Sequence, residues 1–201
     1  MELFEYLKEQ YFQNVNNGII VEVGAAKPDF LSQSKSFKDI GWRTICIEPN
    51  PSFAQLHREI GNEIYEYACS YEDKDDVDFY VVDFGNDISF ESFSSLGLEK
   101  LSSTSEFDKK PEPSIIKVNV RKLDSILKTA QVSKIDCLIV DVEGWELEVM
   151  RGFSINEYEP KVVVLECLCN LEEYHQYMQN LSYSFDRFDD TTGPNYIYFK
   201  P

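Results

Sequence analysis

Apolar residues recur along this chain in two alternating rhythms, short continuous runs and stripes at helical spacing. Leu3, Phe4, Leu7 and Tyr11 mark a first helix within an N-terminal segment, 1–17, and the polar stretch Asn14 to Gly18 stops it. Ile19 to Val23 is strand one, closed by Gly24. Phe37 and Ile40 share one side of a helix that leads to Gly41, and Thr44 to Ile47 is strand two, ending in Glu48. Asn50 can cap the next helix with its side-chain oxygen, and Pro51 suits the first helical position, where a missing N–H costs nothing. Phe53, Leu56 and Ile60 form its buried stripe and Gly61 ends it. Strand three covers Glu63 to Ala68, and the alternation of Val77, Phe79 and Val81 adds a strand after an acidic, solvated turn.

Farther along, Ile115 to Val120 is a strand, Leu123 to Ala130 a helix, and Asp136 to Val140 a fully buried strand ending at Asp141. Glu146 to Arg151 makes a short helix stopped by Gly152. Val162 to Leu165 is a strand ending at Glu166, and a helix carrying Tyr174, Met178 and Leu181 follows. Tyr183 to Arg187 and Tyr196 to Phe199 flank the Gly193-Pro194 turn as an antiparallel hairpin. Strands alternating with helices predict one α/β domain over 1–201, a mostly parallel Rossmann-like sheet with helices on both faces and that C-terminal antiparallel hairpin. Between 84 and 113 the pattern dissolves into serine, glycine and proline; stretches of that length are often lids, and this one is expected to fold over a binding cleft.

Composition narrows the partners. The net charge of −17 over 201 residues repels polyanions, so nucleic acid is a poor ligand. No apolar run approaches the roughly 18 residues that cross a bilayer, and the acidic start Met1-Glu2-Leu3-Phe4-Glu5 has no signal-peptide pattern. No membrane partner and a cytoplasmic location are expected. Cys46, Cys69, Cys137, Cys167 and Cys169 lie in or beside strands without metal-ligand spacing and read as reduced, mostly buried thiols.

In open parallel sheets ligands sit outside the carboxyl ends of the strands. The residues there are Gly24, Glu48, Ala68, Asp141 and Glu166. Gly24 lets a backbone approach a ligand closely, and Glu48 can accept hydrogen bonds from both hydroxyls of a ribose. Strand, glycine turn, helix, strand and acid in that order make a nucleoside-binding unit. The further glycines that seat a pyrophosphate are missing from Gly24-Ala25-Ala26-Lys27-Pro28-Asp29. Proline removes a donor and aspartate adds negative charge, so a ribose-bearing ligand without phosphate fits better. S-adenosylmethionine, with its cationic sulfonium, is such a ligand.

Val21-Glu22-Val23-Gly24-Ala25, Ser32, Gly41-Trp42 and Ile47-Glu48-Pro49-Asn50-Pro51 resemble the FkbM-type methyltransferases. So do Val120-Arg121-Lys122-Leu123-Asp124, Ile135-Asp136-Cys137-Leu138 and Asp141-Val142-Glu143-Gly144-Trp145-Glu146-Leu147, in the order of that family's second signature. The resemblance spans Gly18 to Glu166 and implies a class I methyltransferase. By it, Glu22, Gly24 and Ala25 border the methionine part of S-adenosylmethionine, Glu48 the ribose, Asn50 the neighbouring turn, and Ala68, Cys69 and Ser70 the adenine, with Asp141 also at the cofactor.

Methyl transfer to oxygen needs an in-line approach and a base for the hydroxyl proton. Asp141, Glu143 and Glu166 are the candidate catalytic acids. Alternatively, two of them hold a divalent metal such as magnesium that lowers the acceptor hydroxyl's pKa. Glu143 to Glu146 can equally serve to cap a helix. His57 and His175 read as surface or packing residues, Trp42 and Trp145 as core. Three functions stay open: an O-methyltransferase acting on a sugar or natural product, an inactive nucleoside-binding module of the same kind, and an NAD or nucleotide-sugar enzyme on the same fold.

Overall fold

The structure, a computed structural model, describes residues 2–30, 32–82, 94–96, 113–168, 170–190 and 193–201. In chain order its elements are α1 (Leu3–Gln10), β1 (Ile19–Val23), α2 (Lys35–Asp39), β2 (Arg43–Ile47), α3 (Pro51–Glu59), β3 (Glu63–Tyr65), β4 (Ala68–Cys69), β5 (Lys74–Val81) and β6 (Ser114–Arg121). Then follow α4 (Leu123–Thr129), β7 (Cys137–Val140), α5 (Glu146–Arg151), α6 (Ile155–Tyr158), β8 (Val162–Glu166), α7 (Leu171–Asn180), β9 (Ser184–Asp189) and β10 (Asn195–Phe199). No described helix is long and apolar enough to cross a membrane.

A seven-stranded sheet, ordered β3-β2-β1-β7-β8-β10-β9, forms the body. The pairs β2–β3, β1–β2, β1–β7 and β7–β8 are parallel, and only β10 runs against its neighbours β8 and β9. The C-terminal hairpin therefore forms as the sequence predicts, with β10 inserted between β8 and β9. Side chains alternate across the pleat, and each face buries its own set. On one face Val21, Val23, Leu138, Val140, Val163 and Leu165 meet α4, α5, α6 and α7; on the other Ile20, Cys137, Ile139, Val162 and Val164 meet α1 and α2. That two-sided burial is why the central strands are continuously apolar.

The second face is organised by aromatic contacts. Phe12 and Phe37 approach Trp42 with ring centroids 5.0 and 4.8 Å away. A Cβ on Gly18 would stand 2.5 Å from the Trp42 ring, so the indole lies directly on the backbone that enters β1.

Four expectations need correction. The strand read over 63–68 splits: β3 ends at Tyr65, the Tyr67 N–H bonds back to the Tyr65 carbonyl, and Ala68–Cys69 joins a separate three-stranded sheet ordered β4-β6-β5. Asn50 caps α3 as expected, its side-chain oxygen accepting from the Ser52 N–H at 3.0 Å, but the buried residues are Phe53, Ala54 and His57, while Leu56 and Ile60 are exposed. The helix is rotated because His57 packs onto the loop after β1. Ile40, just past the end of α2, is exposed as well. The acidic turn also has a structural member: Asp73 accepts from the Lys122 N–H at 2.6 Å and the Ser125 hydroxyl at 2.8 Å, capping α4 from outside. Cys46, Cys69 and Cys137 are free and buried, as the sequence suggests, and Cys167 is buried as well. The expected lid over 84–113 lies outside the described residues except at 94–96 and 113.

Replacing Trp42 by alanine removes the ring that joins α1, α2 and the entry to β1, and should cost about 3–5 kcal/mol. A urea titration should show a lower midpoint at unchanged slope.

Candidate active site

The carboxyl ends of β2, β1, β7 and β8 lie side by side and bring Glu48, Gly24, Asp141 and Glu166 to one edge. Gly24 has φ +85°, and a Cβ there would meet the Asp141 carbonyl oxygen at 1.7 Å. Glycine is thus required by the neighbouring strand itself, in addition to any ligand approach. The next turn is fixed from several sides. Gly24 and Ala25 donate to the Ile47 carbonyl at 2.9 and 3.1 Å, and Ala26, with φ +42°, is held at both its amide and its carbonyl. Its N–H donates to Glu48 Oε2 at 2.9 Å, and its carbonyl lies 3.0 Å from His57 Nε2. The other ring nitrogen, Nδ1, lies 2.9 Å from Asn62 Nδ2, which can only donate. Nε2 therefore carries the proton and donates to Ala26, and Lys38 in turn bonds the Asn62 side-chain oxygen.

Glu48 is buried and accepts from Ala26 N and, at 2.7 Å, from Asn50 N, one bond per oxygen. Each oxygen keeps acceptor capacity. Burial pushes its pKa up to about 7, against the lowering effect of the two backbone donors. Glu22, inside β1, turns its carboxylate to the following loop. It accepts from Gln33 N at 2.7 Å, from Ser34 N and Ser32 Oγ at 3.3 Å, and from the Ser34 hydroxyl. Its contacts shape the loop from Ser32 to Ser34.

Asp141 receives a hydrogen bond from Gln33 Nε2 at 3.0 Å and lies beside Glu166. Burial, then the nearby charge of Glu146, raises the Asp141 pKa to about 7. Burial and the Asp141 charge hold Glu166 well above the usual carboxylate range, and the proximity of the two disfavours ionisation of both at once. Glu143 joins them: one carboxylate oxygen from each of Asp141, Glu143 and Glu166 lies within 4.8 Å of the others. Glu143 and Gly144 take positive φ, +57° and +89°. Glu146 makes that turn possible, since its Oε1 accepts from Val142 N at 3.1 Å and Gly144 N at 2.9 Å while Tyr174 donates to Oε2 at 2.6 Å. The helix-capping alternative is not met, since the cap residue Trp145 makes no side-chain cap hydrogen bond and Glu146 instead ties the turn that precedes α5.

The proposed adenine-side residues Ala68, Cys69 and Ser70 are all buried where the small sheet meets α5. Ser70 accepts from Trp145 Nε1 at 3.0 Å, so Trp145 braces this segment. Sequence reasoning misses Gln33 and the load on His57, and names Glu146 only as a helix cap. For His57 a signal exists, the i, i+4 spacing from Phe53 that puts both on one face; for Gln33 there is none.

The profile of the methyltransferase FkbM domain matches residues 22–185. The chain belongs to the FkbM methyltransferase family. Among solved structures, a methyltransferase FkbM from Methylobacillus flagellatus KT is similar, with a TM-score of 0.57 and 14% identity over 96% of this chain and 47% of that one. This FkbM domain therefore spans about half the length of that neighbour, and at such identity the likeness speaks for the fold alone. No curated protein sequence matches. The FkbM motifs also acquire structural reasons here. Asp124 anchors the start of α6 through Ser154 N at 2.8 Å and Ser154 Oγ at 2.6 Å, and Asp136 accepts from Ile19 N at 2.8 Å.

The carboxyls set a direction for pH. Glu48 and Asp141 move to about 7 from ordinary values of 4.5 and 3.8, and Glu22, Glu146 and Glu166 are raised too. The folded state holds protons that the unfolded chain releases, so stability falls as pH rises from about 4.5 to about 7. His57 opposes this, because burial lowers its pKa from 6.5 and its contribution is lost as pH falls through that value. With five carboxyls against one imidazole, the melting temperature by scanning fluorimetry should be higher at pH 5.5 than at pH 8. A maximum at pH 8 would mean that the carboxyls ionise in the folded protein without penalty.

Proposed function

We propose that the protein transfers the methyl group of S-adenosylmethionine to a hydroxyl oxygen of a small molecule such as a sugar or natural product. The observation that carries this reading is the acid-only edge of the sheet. Glu48 and the Asp141–Glu166 pair flank Gly24, and among the described residues no lysine or arginine forms an ion pair with any of these acids. A diphosphate would find repulsion there, which argues against the NAD or nucleotide-sugar alternative. A cationic nucleoside would find complementary charge.

The donor and acceptor set fits that cofactor. Glu48, with spare acceptor capacity on both oxygens, suits a ribose diol. The loop from Gly24 to Ala26, held by Glu48 and His57, would border the methionine portion together with the Glu22-anchored turn at 32–34. Asn50 shapes the turn beside the ribose, and the segment Ala68 to Ser70 would border the adenine. When bound, S-adenosylmethionine supplies an electrophilic methyl whose bonding pair returns to sulfur on transfer. The chain's own part is to place the acceptor and receive its proton. Asp141, its pKa raised chiefly by burial, is a stronger proton acceptor than an ordinary carboxylate and so suits a general base. Glu143 stands beside the pair and is the remaining oxygen ligand for the acceptor. The turn at 142–145 positions these groups through Glu146.

Calorimetry should show saturable binding of S-adenosylmethionine and none of NAD, and a flat titration with the first would end this reading. Glu48→Gln should weaken that binding by about 1.5–3 kcal/mol, the worth of hydrogen bonds to a charged acceptor. Asp141→Asn keeps size and one acceptor oxygen but loses basicity, so turnover of a hydroxylated acceptor should fall roughly a hundredfold with the melting temperature little changed.

A further inference from the structure

We infer that the carboxylates of Asp141, Glu143 and Glu166, completed by the side-chain amide oxygen of Gln33, form a binding site for a divalent cation at the carboxyl ends of β7 and β8. The carboxylates alone would not carry this, since exposed acidic clusters are common. Unpartnered buried oxygens beside them, above all Gln33 Oε1, point to a bound cation. Gln33 is 8% exposed and its Nε2 is committed to Asp141 Oδ2, yet its Oε1 has no hydrogen-bond partner. Glu166 is 6% exposed, and its Oε2 likewise has none. Buried acceptors are nearly always satisfied. A hydrogen bond between the Asp141 and Glu166 carboxyls can satisfy one oxygen of that pair, while Gln33 Oε1 still has no partner.

Size and ligand chemistry agree. The three carboxylate oxygens lie within 4.8 Å of one another. Oxygens on opposite sides of a magnesium ion are about 4.2 Å apart, and on opposite sides of calcium about 4.8 Å. The cluster can therefore close on either ion without a rearrangement of the strands. Every donor is oxygen, with no imidazole or thiol in the group, which selects hard cations over zinc. The ligands are also well founded. Asp141 and Glu166 end adjacent paired strands, Gln33 is tied by its N–H to Glu22, and the Glu143 turn is held by Glu146.

The role of the ion rests on the methyl-transfer reading. A cation seated here would take a lone pair of the acceptor hydroxyl, the proton would leave to water, and the resulting alkoxide would form the new bond to the methyl carbon as the carbon–sulfur bond breaks and its electron pair returns to sulfur. The cluster would then lower the hydroxyl's pKa in place of taking its proton directly. The ion's binding does not depend on that role.

The test is a manganese titration of the full chain without cofactor, followed by loss of the free-ion electron paramagnetic resonance signal, with magnesium and calcium as competitors. One saturable site per chain is expected, weakened at least about tenfold in Glu166→Gln and in Gln33→Met. The surface double variant Glu72→Gln/Asp75→Asn should bind as the parent does, which separates the site from the general acidity of the chain. Glu166→Gln matches the neutral carboxyl in size and cannot repel Asp141, so it should melt no lower than the parent. Should it fail to fold, Gln33→Met, which leaves all three carboxylates intact, decides the matter. No saturable site up to millimolar manganese, or equal affinity in the parent and in the folded variants, overturns the proposal. S-adenosylmethionine binding measured in chelator distinguishes the two failures. If it persists without a metal site, the cofactor reading stands alone; if manganese binds and the cofactor does not, the site stands without it.

Discussion

Carboxyl groups gathered at one edge of the sheet, away from any ion-paired lysine or arginine among the described residues, impose a constraint on everything around them. A buried carboxylate needs donors, and here backbone N–H groups and hydroxyls supply them. The loop after β1 bends so that its residues from Ser32 to Ser34 can serve Glu22. The turns at Ala26 and Asn50 exist to serve Glu48, and the turn after β7 wraps Glu146. The path of each site loop is thus a consequence of satisfying an acid, and the acids in turn remain costly to ionise.

Two kinds of carboxyl result. Glu22 and Glu146 each accept three or more hydrogen bonds from backbone and hydroxyl donors and act as internal struts. Glu48, Asp141 and Glu166 keep acceptor capacity, and they are the ones at the strand ends where a ligand of an open α/β sheet sits. The difference lies in position along the strand. Glu22 precedes the strand's last residue and faces the α1–α2 side of the sheet, whereas the others stand at or past the final strand residue, where the pleat no longer confines them.

Membership in the FkbM methyltransferase family accords with this arrangement, and it gives the second signature a physical sense. In Asp141-Val142-Glu143-Gly144-Trp145-Glu146 the last glutamate folds the segment back on itself, glycine permits the turn, and tryptophan pins Ser70 of the small sheet. Ser95 bonds both the Tyr80 backbone and the Glu143 carbonyl, so the small sheet also touches the turn that carries Glu143. The second sheet is therefore built into the wall of the site.

Much of the framework is legible in the sequence because it follows from local rules. Apolar runs too long for one exposed face require strands buried on both, and Asn50-Pro51 or Gly152 act within a few residues of themselves. The strand-end acids Glu48, Asp141 and Glu166 can be named on the same basis. What the sequence does not reveal depends on partners far along the chain. Leu56 and Ile60 lose the buried face of α3 to Ala54 and His57 because a carbonyl from the β1 loop must be met. Ala68 and Cys69 leave strand three because β6 offers them pairing from more than fifty residues away. Gln33 reaches Asp141 only after Glu22 has drawn the loop across the sheet. Periodicity records which residues must be buried or paired; which distant group satisfies each polar atom is decided only when the strands are laid side by side.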